Sequence, residues 1–264
     1  MDLDAVRELF DGQLRQAAPA DGPGTRVEHV DGVVRQTGAA DDWNGIRWSD
    51  LDASTADAAI AAQIRFFTAR GRAFEWKLYA HDRPGDLGER LIAAGFSAEP
   101  EETVMVAPVR VPPTAAGLSD LPDLPEGVRL LRVTDAAGVE LMVDVHARAF
   151  GTDSGHLRHR LLSRLREEPD TVVPVVALAG DQPVSAARME LPPGADFAGL
   201  WGGGTVAEWR GRGLYRALIA FRARIAAERG YRYLQVDASD QSRPILERLG
   251  FAPLTTTTPY VYGS

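Results

Sequence analysis

Hydrophobic residues in the first 109 positions recur with two spacings, one typical of helices and one typical of strands. Helical spacing predicts helices at 4–17, 55–70 and 86–94. Short apolar or alternating runs predict strands at 27–34, 44–48, 74–80 and 102–109. Gly71 and Gly95 follow the second and third helices, as expected of residues that end a helix. The first half is therefore predicted to mix helices and strands.

The second half begins a similar pattern after a proline-rich stretch. Strands are predicted at 128–133, 172–179, 184–191, 197–207, 231–238 and 255–262. Helices are predicted at 135–149, 155–167 and 214–229, with a short one between Ser239 and Gly250. Thr134 or Asp135 can cap the first of these helices. The turn at Gly180 and Asp181 predicts a hairpin of the strands on either side of it.

The two halves share an order of elements. Each has an Arg-Gly pair, a strand, a short helix and a Gly-Phe pair, at 70–71 and 95–96 and again at 229–230 and 250–251. Either a domain has been duplicated, or two ordinary helix–glycine–strand units look alike. The matching order favours duplication. We predict a first domain at 1–109, a stiff proline-rich linker at 110–126 and a second domain at 127–264.

A glycine-rich turn joins the predicted strand 197–207 to the predicted helix 214–229. Its sequence is Trp209-Arg210-Gly211-Arg212-Gly213-Leu214-Tyr215-Arg216. Glycines let the backbone approach a ligand closely, and the N–H groups at a helix N-terminus attract phosphate. The turn therefore predicts a phosphate site. Its counterpart in the first half, Ser49-Asp50-Leu51-Asp52, is acidic and lacks glycine, so we expect that copy to bind phosphate poorly.

Composition excludes several classes of protein. The chain has 264 residues and a formal charge of −8, which argues against a general nucleic-acid or membrane-surface role. It contains no cysteine, so disulfide scaffolds, thiolate zinc sites and cysteine nucleophiles are excluded. The N-terminus lacks the features of a signal peptide, and no apolar run reaches the ~18 residues of a membrane span. We therefore expect a cytoplasmic protein.

Residues 128–262 resemble the GNAT (GCN5-related N-acetyltransferase) superfamily. The family's fingerprint, Gln/Arg-x-x-Gly-x-Gly/Ala, falls on Arg210-Gly211-Arg212-Gly213-Leu214-Tyr215. The strand before it, the helix after it and the helix end Leu249-Gly250-Phe251 support the match. The first half looks like a degenerate copy without the fingerprint. The resemblance implies an α/β fold (an α+β mixed sheet) with two GNAT-like domains, each a mostly antiparallel mixed sheet flanked by helices.

The resemblance also implies a cosubstrate, acetyl-CoA or another acyl-CoA, and no metal. By this analogy the backbone of Thr205, Val206 and Ala207 contacts the pantetheine arm. The diphosphate is held by the turn, which comprises Arg210, Gly211, Arg212, Gly213, Leu214, Tyr215 and Arg216. Arg212 and Arg216 either bind phosphate directly or belong to a solvated helix face.

Three positions depart from the family pattern or match it weakly. Tyr215 stands where Gly or Ala is usual, and its side chain is tolerable if it points away from the diphosphate. Leu246 stands where many members carry a tyrosine that protonates the leaving thiolate, and leucine cannot donate a proton. Ser239 stands where an asparagine is frequent, and it serves either CoA or the start of the last helix.

Acyl transfer needs an N–H donor for the developing oxyanion and a base for the amine. The run Gly202-Gly203-Gly204 predicts a β-bulge that exposes such a donor, or else a loop before a short strand. Glu190 is the first candidate for the base, although a surface carboxylate at a strand end is the alternative. Other candidates are Glu208, Asp237, His146, His156 and His159, of which the histidines lie on helices that shape the acceptor pocket in the family.

The sequence as a whole predicts an acyl-CoA-dependent N-acyltransferase that acetylates a primary amine. A catalytically inactive acyl-CoA sensor is the alternative, and a phosphate binder of another α/β type is disfavoured because no Walker lysine or Gly-x-Gly-x-x-Gly is present. The acceptor is expected to be a small-molecule or peptide amine, and an acidic chain would suit a cationic one. We expect neither nucleic acid nor membrane as a partner and leave a homodimer open.

Overall fold

The computed structural model describes residues 1–109, 124–151 and 155–263. They form two compact units. The first unit contains Met1–Met105, Asp237–Ile245 and Pro253–Ser264, and the second contains Val106–Val236 and Leu246–Ala252. The domain division made from the sequence stays a prediction, and most of its linker, 110–123, lies outside the described residues.

The first part of the chain contains three helices and six strands. They are α1 (Leu3–Phe10), β1 (Arg26–Val30), β2 (Val33–Thr37), β3 (Gly45–Ser49), α2 (Ala56–Thr68), β4 (Phe74–Tyr79), α3 (Leu87–Ala93), β5 (Ser97–Ala98) and β6 (Glu102–Pro108). Two elements differ from the sequence prediction. The strand predicted at 27–34 is the start of a hairpin, because Asp31 and Gly32 turn the chain with φ of 47° and 76°. The predicted first helix becomes a π-helix over Asp11–Gln16.

The second part of the chain continues with four helices and six strands. They are β7 (Val128–Arg132), α4 (Ala136–Phe150), α5 (Gly155–Glu167), β8 (Val172–Ala179), β9 (Gln182–Glu190), β10 (Phe197–Thr205), α6 (Leu214–Glu228), β11 (Tyr233–Ala238), α7 (Arg243–Arg248) and β12 (Ala252–Tyr262). Asp135 caps α4 by accepting from the Gly138 N–H at 2.9 Å. No helix in the described ranges is long and apolar enough to cross a membrane.

The sheet of the first unit mixes antiparallel and parallel neighbours. β1, β2 and β3 pair antiparallel in that order, and β4 pairs parallel with β3. The C-terminal strand β12 belongs to this unit and pairs antiparallel with β4, from Thr257 opposite Tyr79 to Tyr262 opposite Phe74. Its core lies beneath α2 and α3, where the rings of Phe67 and Phe74 stack at 4.3 Å.

The second unit repeats this succession of pairings. β7, β8, β9 and β10 pair antiparallel in that order, and β11 pairs parallel with β10. The predicted fold class, with two such mixed sheets flanked by helices, is confirmed.

Helices cover both faces of the second unit's sheet. Val176 of β8 packs in the core formed with α4 and α5, whereas its neighbour Val175 packs against Leu218 of α6. Successive strand residues point to opposite faces, so α6 covers one face while α4 and α5 cover the other. This arrangement places the glycine turn and the predicted acceptor elements of the same unit on the two sides of β10.

Candidate active site

The parallel pairing of β10 and β11 stops partway along both strands. The paired residues are Phe197 with Tyr233, Ala198 with Leu234 and Gly199 with Gln235. β10 runs on to Thr205. Among the described residues, β10 and β11 do not pair beyond Gly199, and an extended ligand can add to a strand where its neighbour ends.

A β-bulge distorts β10 immediately after this point. The register with β9 shifts between Trp201 and Gly204, so that Gly202 and Gly203 together oppose one β9 residue. Gly202 has φ of 60°, and a Cβ there would lie 2.8 Å from Nη1 of Arg188. The bulge predicted from the glycine run is confirmed, and the site leaves no room for a side chain at Gly202.

The glycine turn leads into an open helix N-terminus. Gly211 and Gly213 have φ of 75° and 83°, and a Cβ on either would meet nothing within 4 Å. Gly213 is the N-cap residue of α6 and makes no side-chain capping bond. The first N–H groups of a helix have no partner inside it. These groups and the positive end of the helix dipole are therefore available to an anion.

The equivalent helix start in the first unit is closed by its own chain. Asp52 Oδ1 accepts from the N–H groups of Ser54 at 2.8 Å and of Thr55 at 3.0 Å, just before α2. The bond from the Ser54 hydroxyl, followed by these backbone bonds, lowers the pKa of the Asp52 carboxyl, so it stays ionised. A negative charge thus lies just before the start of α2, which supports the expectation of poor phosphate binding there.

The three residues predicted to contact pantetheine differ in what they can still donate or accept. The Thr205 carbonyl accepts from Arg210 Nε at 3.1 Å. Val206 is buried, and its N–H and carbonyl bond Val184 and Trp209. Ala207 is exposed, and its carbonyl accepts from the Arg210 N–H. Val206 acts mainly to hold the turn against the sheet, where it packs with Leu214.

The arginines of the turn have distinct surroundings. Arg210 spans from Thr205 to the end of α4, with Nη2 3.3 Å from the Ala149 carbonyl, so its side chain fixes the turn. The Arg212 guanidinium lies 4.7 Å from the centre of the Trp209 ring, and Arg216 is exposed on α6. Arg212 and Arg216 are therefore the two turn side chains with mobility to meet a diphosphate, and their role stays a prediction.

The departures from the family pattern have clear structural settings. The Tyr215 ring lies against the bulge, since a Cβ on Gly203 would be 3.1 Å from its Cε2. Burial raises the pKa of Tyr215. Leu246 is fully buried in the core. Ser239 belongs to the segment grouped with the first unit, and its carbonyl accepts from the N–H groups of Ser242 and Arg243 at the start of α7.

Glu190 is held by two arginines at the end of β9. Its Oε1 lies 3.2 Å from Arg188 Nε and 3.3 Å from Arg164 Nη1. Arg164 is fixed further by a bond from Nη2 to Thr171 Oγ1 at 2.9 Å. The alternative of a free surface carboxylate is wrong, because only 18 % of the side chain is exposed. Whether it accepts a proton stays a prediction.

His146 on α4 lies at the bulge and was only one of several candidates in the sequence. Its Nε2 is 3.0 Å from the Gly202 carbonyl, which can only accept, so Nε2 carries the proton and Nδ1 the lone pair. Burial, followed by the nearby charge of Arg188, lowers the pKa of His146. The imidazole is thus neutral near pH 7 and chemically suited to take a proton.

The other candidate bases lie elsewhere. Glu208 is exposed in the 3-10 turn before the glycines. Asp237 belongs to the first unit, where it is buried and forms an ion pair with Lys77. His156 and His159 are exposed on α5. The sequence could not separate these residues, because it does not show which of them reach the bulge.

Comparison with known proteins places the site in context. Residues 139–251 match the model of the acetyltransferase (GNAT) family. This segment holds α4, α5, the bulge and the glycine turn. No curated protein has a matching sequence.

Several solved structures are similar over the whole chain. A GCN5-related N-acetyltransferase from Kribbella flavida has a TM-score of 0.70 and 18 % identity, covering 100 % of this chain and 96 % of that chain. A conserved protein of unknown function from Staphylococcus epidermidis has a TM-score of 0.66 and 14 % identity, covering 93 % of this chain and 96 % of that chain. A tandem GNAT protein from the clavulanic acid biosynthesis pathway has a TM-score of 0.63 and 14 % identity, covering 99 % of this chain and 87 % of that chain. At these identities the likeness concerns the fold.

Proposed function

We propose that the chain is an acyl-CoA-dependent N-acyltransferase, starting from the match of residues 139–251 to the acetyltransferase (GNAT) family model. The proposed acyl donor is acetyl-CoA, and the proposed acceptor is a primary amine. One observation carries the proposal: the pairing of β10 with β11 ends at Gly199, and β10 continues through a glycine bulge to the uncapped start of α6.

The site fits an extended cosubstrate with a charged end. Open space around Gly211 and Gly213 and the free N–H groups of the first turn of α6 suit a diphosphate. The part of β10 that extends beyond its pairing with β11 suits an amide-containing arm. When bound, acetyl-CoA supplies an acyl group as a thioester. The backbone N–H groups that the bulge releases at Gly202 and Gly203 would then stabilise negative charge on the thioester carbonyl oxygen.

Two residues near the bulge are proposed for the proton that the amine must lose. Glu190 was the choice from sequence, but two guanidinium groups already neutralise its carboxylate. His146 has a free Nδ1 and contacts Gly202 directly, so we assign the base to His146 and a positioning role to Glu190. Tyr215 keeps its proton because burial raises its pKa, and its ring lies against the bulge, so it is proposed in place of the absent family tyrosine.

A direct test measures acetyl-CoA binding and CoA thiol release separately. Isothermal titration with acetyl-CoA gives the affinity, and a thiol reagent follows release with a panel of amines. Because the protein has no cysteine, the reagent reports only CoA thiol. Amine-dependent release supports the enzyme. Binding without release across the panel favours the acyl-CoA sensor, which the buried Leu246 keeps as a second candidate. Absence of binding contradicts both.

The pH dependence of kcat should reveal the base. The lowered pKa of His146 keeps the imidazole neutral down to below its usual value of about 6.5, so kcat should fall only on the acid side of that value. His146→Gln should lower kcat by about 100-fold and remove this acid limb. His159→Gln, on the exposed face of α5, is the control and should leave the profile unchanged. If Glu190→Gln abolished the fall of kcat at acid pH and His146→Gln kept it, Glu190 would be the base instead.

A further inference from the structure

The region beside the bulge carries positive charge that the protein does not neutralise. Arg188 bonds Glu190 through Nε, so Nη1 and Nη2 remain as donors. Nη1 lies beside Gly202, and the imidazole of His146 lies near the same point. The Arg188 side chain is 18 % exposed, so it is reachable yet largely surrounded by protein. It therefore presents a guanidinium group to whatever occupies the site at the bulge.

Two further arginines reinforce this charge. Arg160 and Arg164 are one helical turn apart on α5, and both lie close enough to lower the pKa of Arg188 after the larger effect of burial. Within the described ranges no carboxylate pairs with Arg160, and Glu190 is the one acid that pairs with Arg164 or Arg188. Two guanidinium groups, those of Arg164 and Arg188, thus share the single carboxylate of Glu190.

This local excess contrasts with the chain as a whole, whose formal charge is −8. Buried or half-buried guanidinium groups cost free energy unless an anion meets them. A planar fork of N–H donors is best satisfied by a carboxylate or a phosphate. His146 is neutral near pH 7, so the positive charge at the bulge comes from the arginines. The site at the bulge is therefore electrostatically prepared for a negatively charged group.

We propose that the acceptor amine carries its own anionic group, which binds Arg188 while the amine faces the bulge and His146. This inference rests on the proposed function and narrows its acceptor class. It replaces the expectation, based on net charge alone, of a cationic acceptor. An amino acid and an amino phosphate share the required chemistry, and the assay distinguishes them.

The test compares matched acceptors in the thiol-release assay. Amino acids, including β-alanine and 4-aminobutyrate, are paired with their carboxamides, with O-phosphoethanolamine and putrescine as the phosphate and dication arms. We expect kcat/KM at least about 100-fold higher for one anionic class than for the matched neutral amine or putrescine. Arg188→Met should bring that ratio close to one without changing acetyl-CoA affinity or the unfolding midpoint by more than the control does.

Arg166→Met is the matched control, because Arg166 is exposed on α5, the helix of Arg160 and Arg164, and pairs with its neighbour Glu167. It should keep the full preference for the anionic acceptor. Equal or faster turnover of carboxamides and putrescine would overturn this inference and leave the proposed activity standing. A preference that survives Arg188→Met would also overturn it. No thiol release with any acceptor would instead overturn the proposed function itself.

Discussion

Replacing Gly213 with aspartate should weaken acetyl-CoA binding by more than about 100-fold, measured by isothermal titration. The first unit offers a parallel, since the Asp52 carboxylate accepts from the N–H groups of Ser54 and Thr55 just before α2. A carboxylate at Gly213 would do the same at α6, and it would repel a diphosphate. The substitution would convert the open helix start into the closed form.

The control for this variant is Gly194→Asp. Gly194 lies in the same unit, has φ of 76° and open space around a Cβ, and precedes the far end of β10. It shares the backbone strain and the added charge of Gly213→Asp but not the position at the helix start. We expect Gly194→Asp to bind acetyl-CoA like the unmodified protein. Equal affinity in both variants would show that the diphosphate binds elsewhere.

Removing residues 253–264 should unfold the first unit's sheet locally. Residues 257–262 of β12 pair with the whole of β4, and the ring centre of Tyr262 lies 5.1 Å from that of Phe96 and 5.9 Å from that of Phe74. Without it β4 has an unpaired edge, and Phe74 and Phe96 lose their contact with Tyr262. We expect hydrogen-exchange protection of β4 amides to fall by more than about 100-fold.

A chain that ends at Tyr262 provides the comparison, because it keeps every residue of β12. Its β4 amides should exchange as in the full chain. Amides of β8 and β9 in the second unit should report any general loss of structure, since their partners are all within that unit. Unchanged protection of β4 after removal of 253–264 would contradict the assigned pairing.

Much of the second unit could be predicted because its determinants are local. The spacing of Leu214 and Leu218 predicts α6, and Gly211 and Gly213 predict a turn that needs positive φ. The glycine run predicts the bulge because a strand with three successive glycines lacks side chains to pack. These features depend on neighbours in sequence, so periodicity and composition reveal them.

The functional cluster at the bulge could not be predicted in the same way. Arg188 and Arg164 come from a strand and a helix and meet Glu190 only through tertiary packing. His146 reaches Gly202 from a residue 56 positions earlier in the chain. The sequence named Glu190 and His146 as candidates. No local pattern reveals that two arginines pair with Glu190, whereas Nδ1 of His146 keeps its lone pair available. The pairing of β12 with β4 could not be predicted either, because the two strands are far apart in the sequence.

The place of β12 in the first unit has a consequence for the order of events during synthesis. Thr257 bonds the carbonyl of Leu78, and the two residues are 179 positions apart. At roughly 5–20 residues per second, translation separates them by about 9–36 seconds. During that interval β4 lacks its final neighbour, and the edge is open to chaperones or to other nascent chains. The first unit is thus the first to be made and the last to be completed.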